Sequence, residues 1–174
     1  MRSSLRLIRA SLLAAFVALA ISGTAAADLW VGGAEADGEG GAYIGLMGDD
    51  LGLIIGAVFN SDYSDSDVRD YPVPHYDYTN LGKKRIGSLV SLDLAYRLIP
   101  SRYGSLWIAG GVTFYEESEI ARSNITGWLY KQNEDNVIRP DAGIYYELPI
   151  SESVGLVAGA HTELGGNLGL SFRY

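Results

Sequence analysis

Residues 167–174 read NLGLSFRY. Leu168, Leu170, Phe172 and Tyr174 fall on one side of this segment, and Gly169, Ser171 and Arg173 fall on the other, because successive strand side chains point to opposite faces. A stripe of large apolar side chains backed by small and charged ones must face a protein core or a lipid bilayer. Which of the two it is depends on whether the rest of the chain repeats the pattern, and at what spacing.

The pattern does repeat. Working back from the C-terminus, period-2 alternation recurs as far as Asp28 and helical periodicity does not. Eight strands are predicted, over 28–36, 41–48, 51–60, 88–98, 105–115, 137–148, 154–161 and 167–174. The fourth is the clearest: Val90, Leu92, Leu94, Tyr96 and Leu98 alternate with Leu89, Ser91, Asp93, Ala95 and Arg97. In the sixth, Ile138, Ala142, Ile144, Tyr146 and Leu148 oppose Arg139, Asp141, Gly143, Tyr145 and Glu147. Connections 48–50, 99–104 and 149–153 are tight, whereas 61–87 and 116–136 are long. Transmembrane barrels alternate short periplasmic turns with longer external loops. A periplasmic start therefore puts both long loops outside and all three tight turns inside.

The segment before the first strand is a targeting signal by composition. Arg2, Arg6 and Arg9 precede an apolar run over 12–21, and Thr24-Ala25-Ala26-Ala27 offers small residues for cleavage. Residues 1–27 are expected to be removed, leaving a single domain over 28–174. Three of the 13 basic residues lie in the signal, so 10 basic residues face 21 acidic ones and the mature net charge is −11. Such acidity excludes nucleic acid as a partner, since phosphates need a basic surface. The absence of cysteine excludes disulfides and thiolate metal sites. No later segment approaches the roughly 20 apolar residues of a membrane helix. A membrane-spanning form would have to be a closed barrel, the other structure that satisfies every backbone hydrogen bond in lipid.

The aromatic residues are sorted by height. Trp30, Tyr96, Tyr146, Phe172 and Tyr174 are expected to face outward near the periplasmic strand ends, with Phe59 and Phe114 near the external ends. Leu53, Ile55, Leu92, Leu94, Ile108, Val112 and Ile144 come between. Aromatic girdles around an aliphatic belt are what two membrane interfaces select. The predicted fold is thus all-β, an eight-stranded antiparallel up-and-down transmembrane barrel whose last strand closes against the first.

The ending NLGLSFRY resembles the C-terminal signature of Gram-negative outer-membrane barrels, which the barrel-assembly machinery reads in that family. As a pattern, 28–174 resembles the small OmpA/OmpX-type barrels, and in size and Gly-rich opening the YfaZ group. The resemblance implies residence in the bacterial outer membrane, in contact with its lipid and lipopolysaccharide. It departs from the larger OmpA type in lacking a periplasmic domain after the last strand, so peptidoglycan anchoring is not implied.

Candidate chemistry is sparse. Some small outer-membrane barrels are lipid A deacylases or palmitoyltransferases, and both need a His beside a Ser, because imidazole must take the hydroxyl proton. His161 opens HTELGG at an external strand end, with Glu163 on the same face, but the deacylase pattern His-x-Ser-Asn is missing. His75 lies in the longest loop with no serine at fixed spacing, and both histidines read as surface or rim residues. Asp62, Asp65, Asp67, Asp70 and Asp77 crowd that loop without the spacing or glycine of an EF-hand, which favours a solvated acidic loop over a metal site. No phosphate-loop pattern is present, and no cofactor is expected. Gly52, Gly56, Gly111, Gly143 and Gly169 fall on inward faces, leaving room for larger neighbours. Arg97, Glu147 and Arg173 are expected to converge inside near the periplasmic end, with Asp93 and Asp141 higher and Arg139 at the external mouth. Paired buried charges are tolerated where isolated ones are not, so a charged plug centred on Glu147 with Arg97 or Arg173 is predicted. The resulting expectation is a non-catalytic structural or surface-interaction protein. The alternatives are a lipid-modifying enzyme using His161 and a narrow pore.

Overall fold

The computed structural model describes residues 27–59, 63, 66–70 and 77–173. The signal segment, Tyr174, His75, Asp62 and Asp65 lie outside the described residues. The elements are β1 (Asp28–Ala36), β2 (Glu39–Met47), β3 (Leu51–Val58), the two-residue β4 (Val68–Arg69), β5 (Tyr78–Ile99), β6 (Ser105–Ser123), β7 (Leu129–Pro149), β8 (Val154–His161) and β9 (Gly165–Phe172).

Eight of these strands form one antiparallel barrel, each hydrogen-bonded to the next in the chain. β9 closes it by pairing with β1, from Leu29 opposite Phe172 to Glu35 opposite Gly165. Closure leaves no open sheet edge inside the barrel. β4 stands apart. β8 reaches only as far as Gly143 on β7, and β4 pairs in parallel with Leu129 and Tyr130 farther along β7, beyond β8.

Alternation sets which residues face the lumen. On β5, Leu89, Ser91, Asp93 and Ala95 are buried inside, while Leu94 and Tyr96 are exposed outside. On β9, Ser171 and Asn167 are buried while Leu168 and Leu170 are exposed. The outer wall also carries exposed Ile44, Leu51, Leu98, Ile108, Ile138, Ile144 and Leu148, a surface that is stable only in an apolar solvent.

Two expectations are corrected. Trp30 does not face outward: it is fully buried in the lumen, its ring edge-on to Trp107 at 5.5 Å and tilted against Tyr145 at 6.0 Å. Its cross-strand partners are Gly45 and Ser171, both small, and the opening strand DLWVGGAEA has no polar face to fix its parity by sequence. The outer face of β1 is held instead by Leu29, Val31 and Gly33. The second correction concerns the long loops. β5 begins at Tyr78, β6 runs on to Ser123 and β7 begins at Leu129, so most of 116–136 and the end of 61–87 are strand. The extension carries Lys83, Lys84, Glu117, Glu119, Glu134 and Asp135, and its buried side mixes Ile86, Ile120 and Tyr130 with Ser118, Ser123 and Lys131. No apolar face reveals its period. The extension bends at Gly82 and Gly87, whose φ values of 82° and 69° accompany register shifts between Asn80 and Lys83 and between Ile86 and Val90. Only glycine adopts such backbone at little cost.

Three apolar layers stack from the short-turn end to the far end. Trp30, Tyr43, Met47, Ile54, Trp107, Tyr145 and Val157 fill the middle of the barrel. Ala34, Val58, Leu89, Tyr115 and Leu164 fill its external mouth. Val68, Ile86 and Ile120 form a small core within the extension.

Candidate functional site

Five polar side chains meet inside the barrel on four strands. Asp93 and Ser91 come from β5, Thr113 from β6, Asp141 from β7 and His161 from the end of β8, and all are buried. Glycine brings them together. Asp93 pairs with Gly111, which pairs in turn with Asp141, so the two carboxylates approach across a position without a side chain. A Cβ at Gly111 would lie 2.8 Å from the Asp93 Cα. Gly143 likewise faces His161, where a Cβ would sit 2.8 Å from the ring.

The hydrogen bonds fix the tautomer. His161 Nδ1 accepts from the backbone N–H groups of Glu163 (3.2 Å) and Leu164 (3.0 Å). A nitrogen that accepts carries no proton, so the proton of the neutral ring is on Nε2. Nε2 therefore donates to Asp93 Oδ1 at 3.2 Å and lies 3.9 Å from Asp141 Oδ2. The Ser91 hydroxyl donates to Asp93 Oδ2 at 2.5 Å, and the Thr113 hydroxyl donates to Asp141 Oδ2. Asp141 Oδ1 is buried without a protein partner.

This geometry limits the chemistry. The three acid and imidazole groups present ligand atoms within 4.8 Å of one another, a spacing a metal ion could span. A metal ligand must offer the Nε2 lone pair, however, and here Nε2 holds the proton while Nδ1 is engaged twice. The same argument bears on nucleophilic catalysis. A general base needs a free lone pair toward a hydroxyl, and the neighbouring hydroxyls, Ser91 and Thr113, donate to carboxylates. Thr162 turns away, its Oγ1 accepting from the Ala142 N–H at 3.1 Å. His161 is thus an interior histidine, not the surface or rim residue the sequence suggests.

Glu147 pairs with Arg173, one of the two partners expected for it, while Arg97, Arg139 and the Asp93–Asp141 pair stand in groups of their own. Glu147 accepts from Ser171 Oγ at 2.7 Å and Arg173 Nη2 at 2.9 Å, and Arg173 also reaches Asp28 at 3.4 Å. Arg97 turns instead to Asp50 at 3.4 Å and stands over the Trp107 ring at 5.5 Å. Arg139 lies exposed at the mouth over Tyr115 at 5.4 Å. The aromatic layer created by the inward Trp30 occupies the space between the Glu147 group and the Asp93 group. Of the predicted outer-face aromatics, Tyr96, Tyr146 and Phe59 are exposed, and Phe114 and Phe172 are half-buried on the outer wall.

The extension carries its own polar network. Lys131, almost fully buried, pairs with Glu116 at 3.0 Å, Glu134 at 3.4 Å and Asp70 at 3.7 Å. Arg85 pairs with Glu39. Lys83 bonds Asp135 at 3.0 Å, and that bond raises its ammonium above the ordinary lysine value. The Arg69 guanidinium lies 3.4 Å over the Trp128 ring.

No protein-family model matches the chain, and neither does any curated protein sequence. Solved structures do match. The N-terminal β-barrel domain of Pseudomonas aeruginosa OprF aligns over 86% of this chain and 97% of its own, with 16% identity and a TM-score of 0.50. Ail, the attachment invasion locus protein of Yersinia pestis, aligns over 86% of this chain and 96% of its own, with 12% identity and a TM-score of 0.47. The fold is that of the small outer-membrane barrels. The aliphatic outer wall of this eight-stranded barrel suits it to stand in a lipid bilayer.

Proposed function

We propose that this outer-membrane barrel is non-catalytic and carries a rigid β-platform on the cell exterior, in a structural or surface-interaction role. The observation behind this reading is strand length. β5, β6 and β7 run for 22, 19 and 21 residues, against eight or nine in the other barrel strands. The surplus has a core of its own and a nearly buried lysine held by three carboxylates, so it presents an ordered face. Ile125 and Trp128 are exposed on its tip and Tyr78 on its flank, and Trp and Tyr are effective interface anchors.

Two features support the non-catalytic part of the reading. The Ser91 and Thr113 hydroxyls donate to carboxylates, and the rings of Trp30, Trp107 and Tyr145 pack together in the middle of the lumen. In the membrane, the aliphatic wall is taken to contact outer-membrane lipid and lipopolysaccharide, and β9 to serve as the segment read by the assembly machinery. Removal of residues 1–27 on export belongs to the same proposal.

Ser118 and Glu134 are cross-strand partners, so replacing residues 119–133 by Asn-Gly closes the hairpin in register. The shortened protein should still fractionate with outer membranes and migrate differently unheated on SDS gels. Adhesion of cells expressing it to matrix-coated surfaces should fall to that of cells lacking it. Loss of membrane assembly, or adhesion equal to the wild type, would contradict a separable display platform.

A further inference from the structure

His161 ends β8, and the two amides it accepts belong to the turn that starts β9. Those bonds hold Leu164 in place. Leu164 is fully buried in the external mouth with Val58, Leu89 and Tyr115, filling the space a side chain at Gly56 would need. Thr162, by contrast, is exposed and Glu163 half-exposed, so the turn itself reaches the external rim. We propose that His161 is a proton-operated latch: the singly protonated ring holds residues 163–164 over the lumen, and a second ring proton releases them.

The second proton can go only to Nδ1. There it removes the lone pair that both amides use and sets an N–H donor against two N–H donors, so both bonds are lost together. The ring itself stays, because Nε2–H keeps its bond to Asp93. The groups facing the ring are Asp93 from β5 and Asp141 and Tyr145 from β7; Thr113 from β6 bonds Asp141, Arg139 sits over Tyr115 at the mouth, and the Glu163 carboxylate acts on Tyr115. Asp93 thus supplies the counter-charge a protonated ring requires. What yields is the segment 163–164, and with it Leu164, while Thr162 stays tied to Ala142 through its N–H and its Oγ1. Release accompanies protonation of Nδ1 and reverses when that proton leaves.

NMR of the whole barrel in lipid nanodiscs tests this, with His161 ring nitrogen shifts and the exchange rates of the Glu163 and Leu164 amides followed against pH. At neutral pH the ring should be the Nε2–H tautomer and both amides protected. As the ring takes its second proton, both amides should exchange about tenfold faster or more, as the loss of two hydrogen bonds requires, while Leu156 and Leu170 amides stay protected. Asp141→Asn changes a group facing the ring, and the ring and amide midpoints should move together. An Nδ1–H ring at neutral pH would overturn the latch. So would a doubly protonated ring with both amides still protected, a ring that takes no second proton before the barrel unfolds, or midpoints that separate in Asp141→Asn.

Discussion

Trp30→Ala tests the interior most directly, because the two possible facings of this residue predict different costs. In the lumen the indole is fully buried, edge-on to Trp107 and tilted on Tyr145. Its removal leaves a cavity that the β-barrel cannot collapse to fill, since Gly45 and Ser171 on the flanking strands have nothing to move into it. Truncating a buried aromatic in this way costs about 3–5 kcal/mol, a range that includes the ring-pair contribution of about 0.5–1.5 kcal/mol. An indole on the periplasmic girdle would lose only part of its contact with lipid. The assay is urea unfolding of the protein in phosphatidylcholine vesicles, followed by the shift between folded and unfolded bands on unheated gels. In parallel, Trp30 fluorescence in a Trp107→Phe, Trp128→Phe background should resist quenching by lipids brominated on their acyl chains. A destabilisation below about 1 kcal/mol, together with strong bromolipid quenching, would refute the inward facing and with it the aromatic layer.

Three further outcomes are expected. Glu147→Ala removes the acceptor of the Ser171 and Arg173 bonds and should cost about 2–3 kcal/mol in the same urea assay, the lower end reflecting the alternative contact of Arg173 with Asp28; an inert variant would mean that this end is fully solvated. Phe172→Asp removes a half-buried ring and places charge on the outer wall near the periplasmic rim, where the charge itself costs up to about 1 kcal/mol, and should reduce assembly, scored as loss of the folded band from outer-membrane fractions. Planar-bilayer recordings of the wild type should show no large stable conductance; a persistent open channel would contradict the filled lumen.

The strands that cross lipid were legible because lipid imposes a face. On β5 between Leu89 and Tyr96, and on β7 between Ile138 and Leu148, one side had to be apolar to the bilayer and the other could carry Asp, Ser or Glu. The parity of every inward residue followed. Beyond the membrane the constraint disappears. Lys83, Glu117 and Asp135 lie in strands broken by register shifts, and the buried side of those strands mixes Ile86 and Ile120 with Ser118 and Lys131, so the period that identifies a strand has little to act on. The same reasoning explains Trp30. A strand of glycine, alanine and aliphatic residues satisfies lipid with either parity, and only pairing with β2 and β9 decides.

The buried acid–imidazole group was half legible. Asp93 and Asp141 stood on inward faces in the sequence, and so did Gly111 and Gly143, but the two facts carried meaning only once joined. In a narrow barrel, an inward glycine between two inward carboxylates is the space in which they meet. His161 was missed because a histidine at a strand end next to a polar turn looks like a rim residue. What buries it is the turn that follows: HTELGG sends two amide donors back to Nδ1 and inserts Leu164, the turn's large apolar side chain, into the lumen. An imidazole that accepts two backbone amides has only Nε2–H left to offer, and that donor needs an acceptor in a place without water. The inward aspartates provide it, so the acids and the histidine require one another, although 68 residues separate Asp93 from its ring.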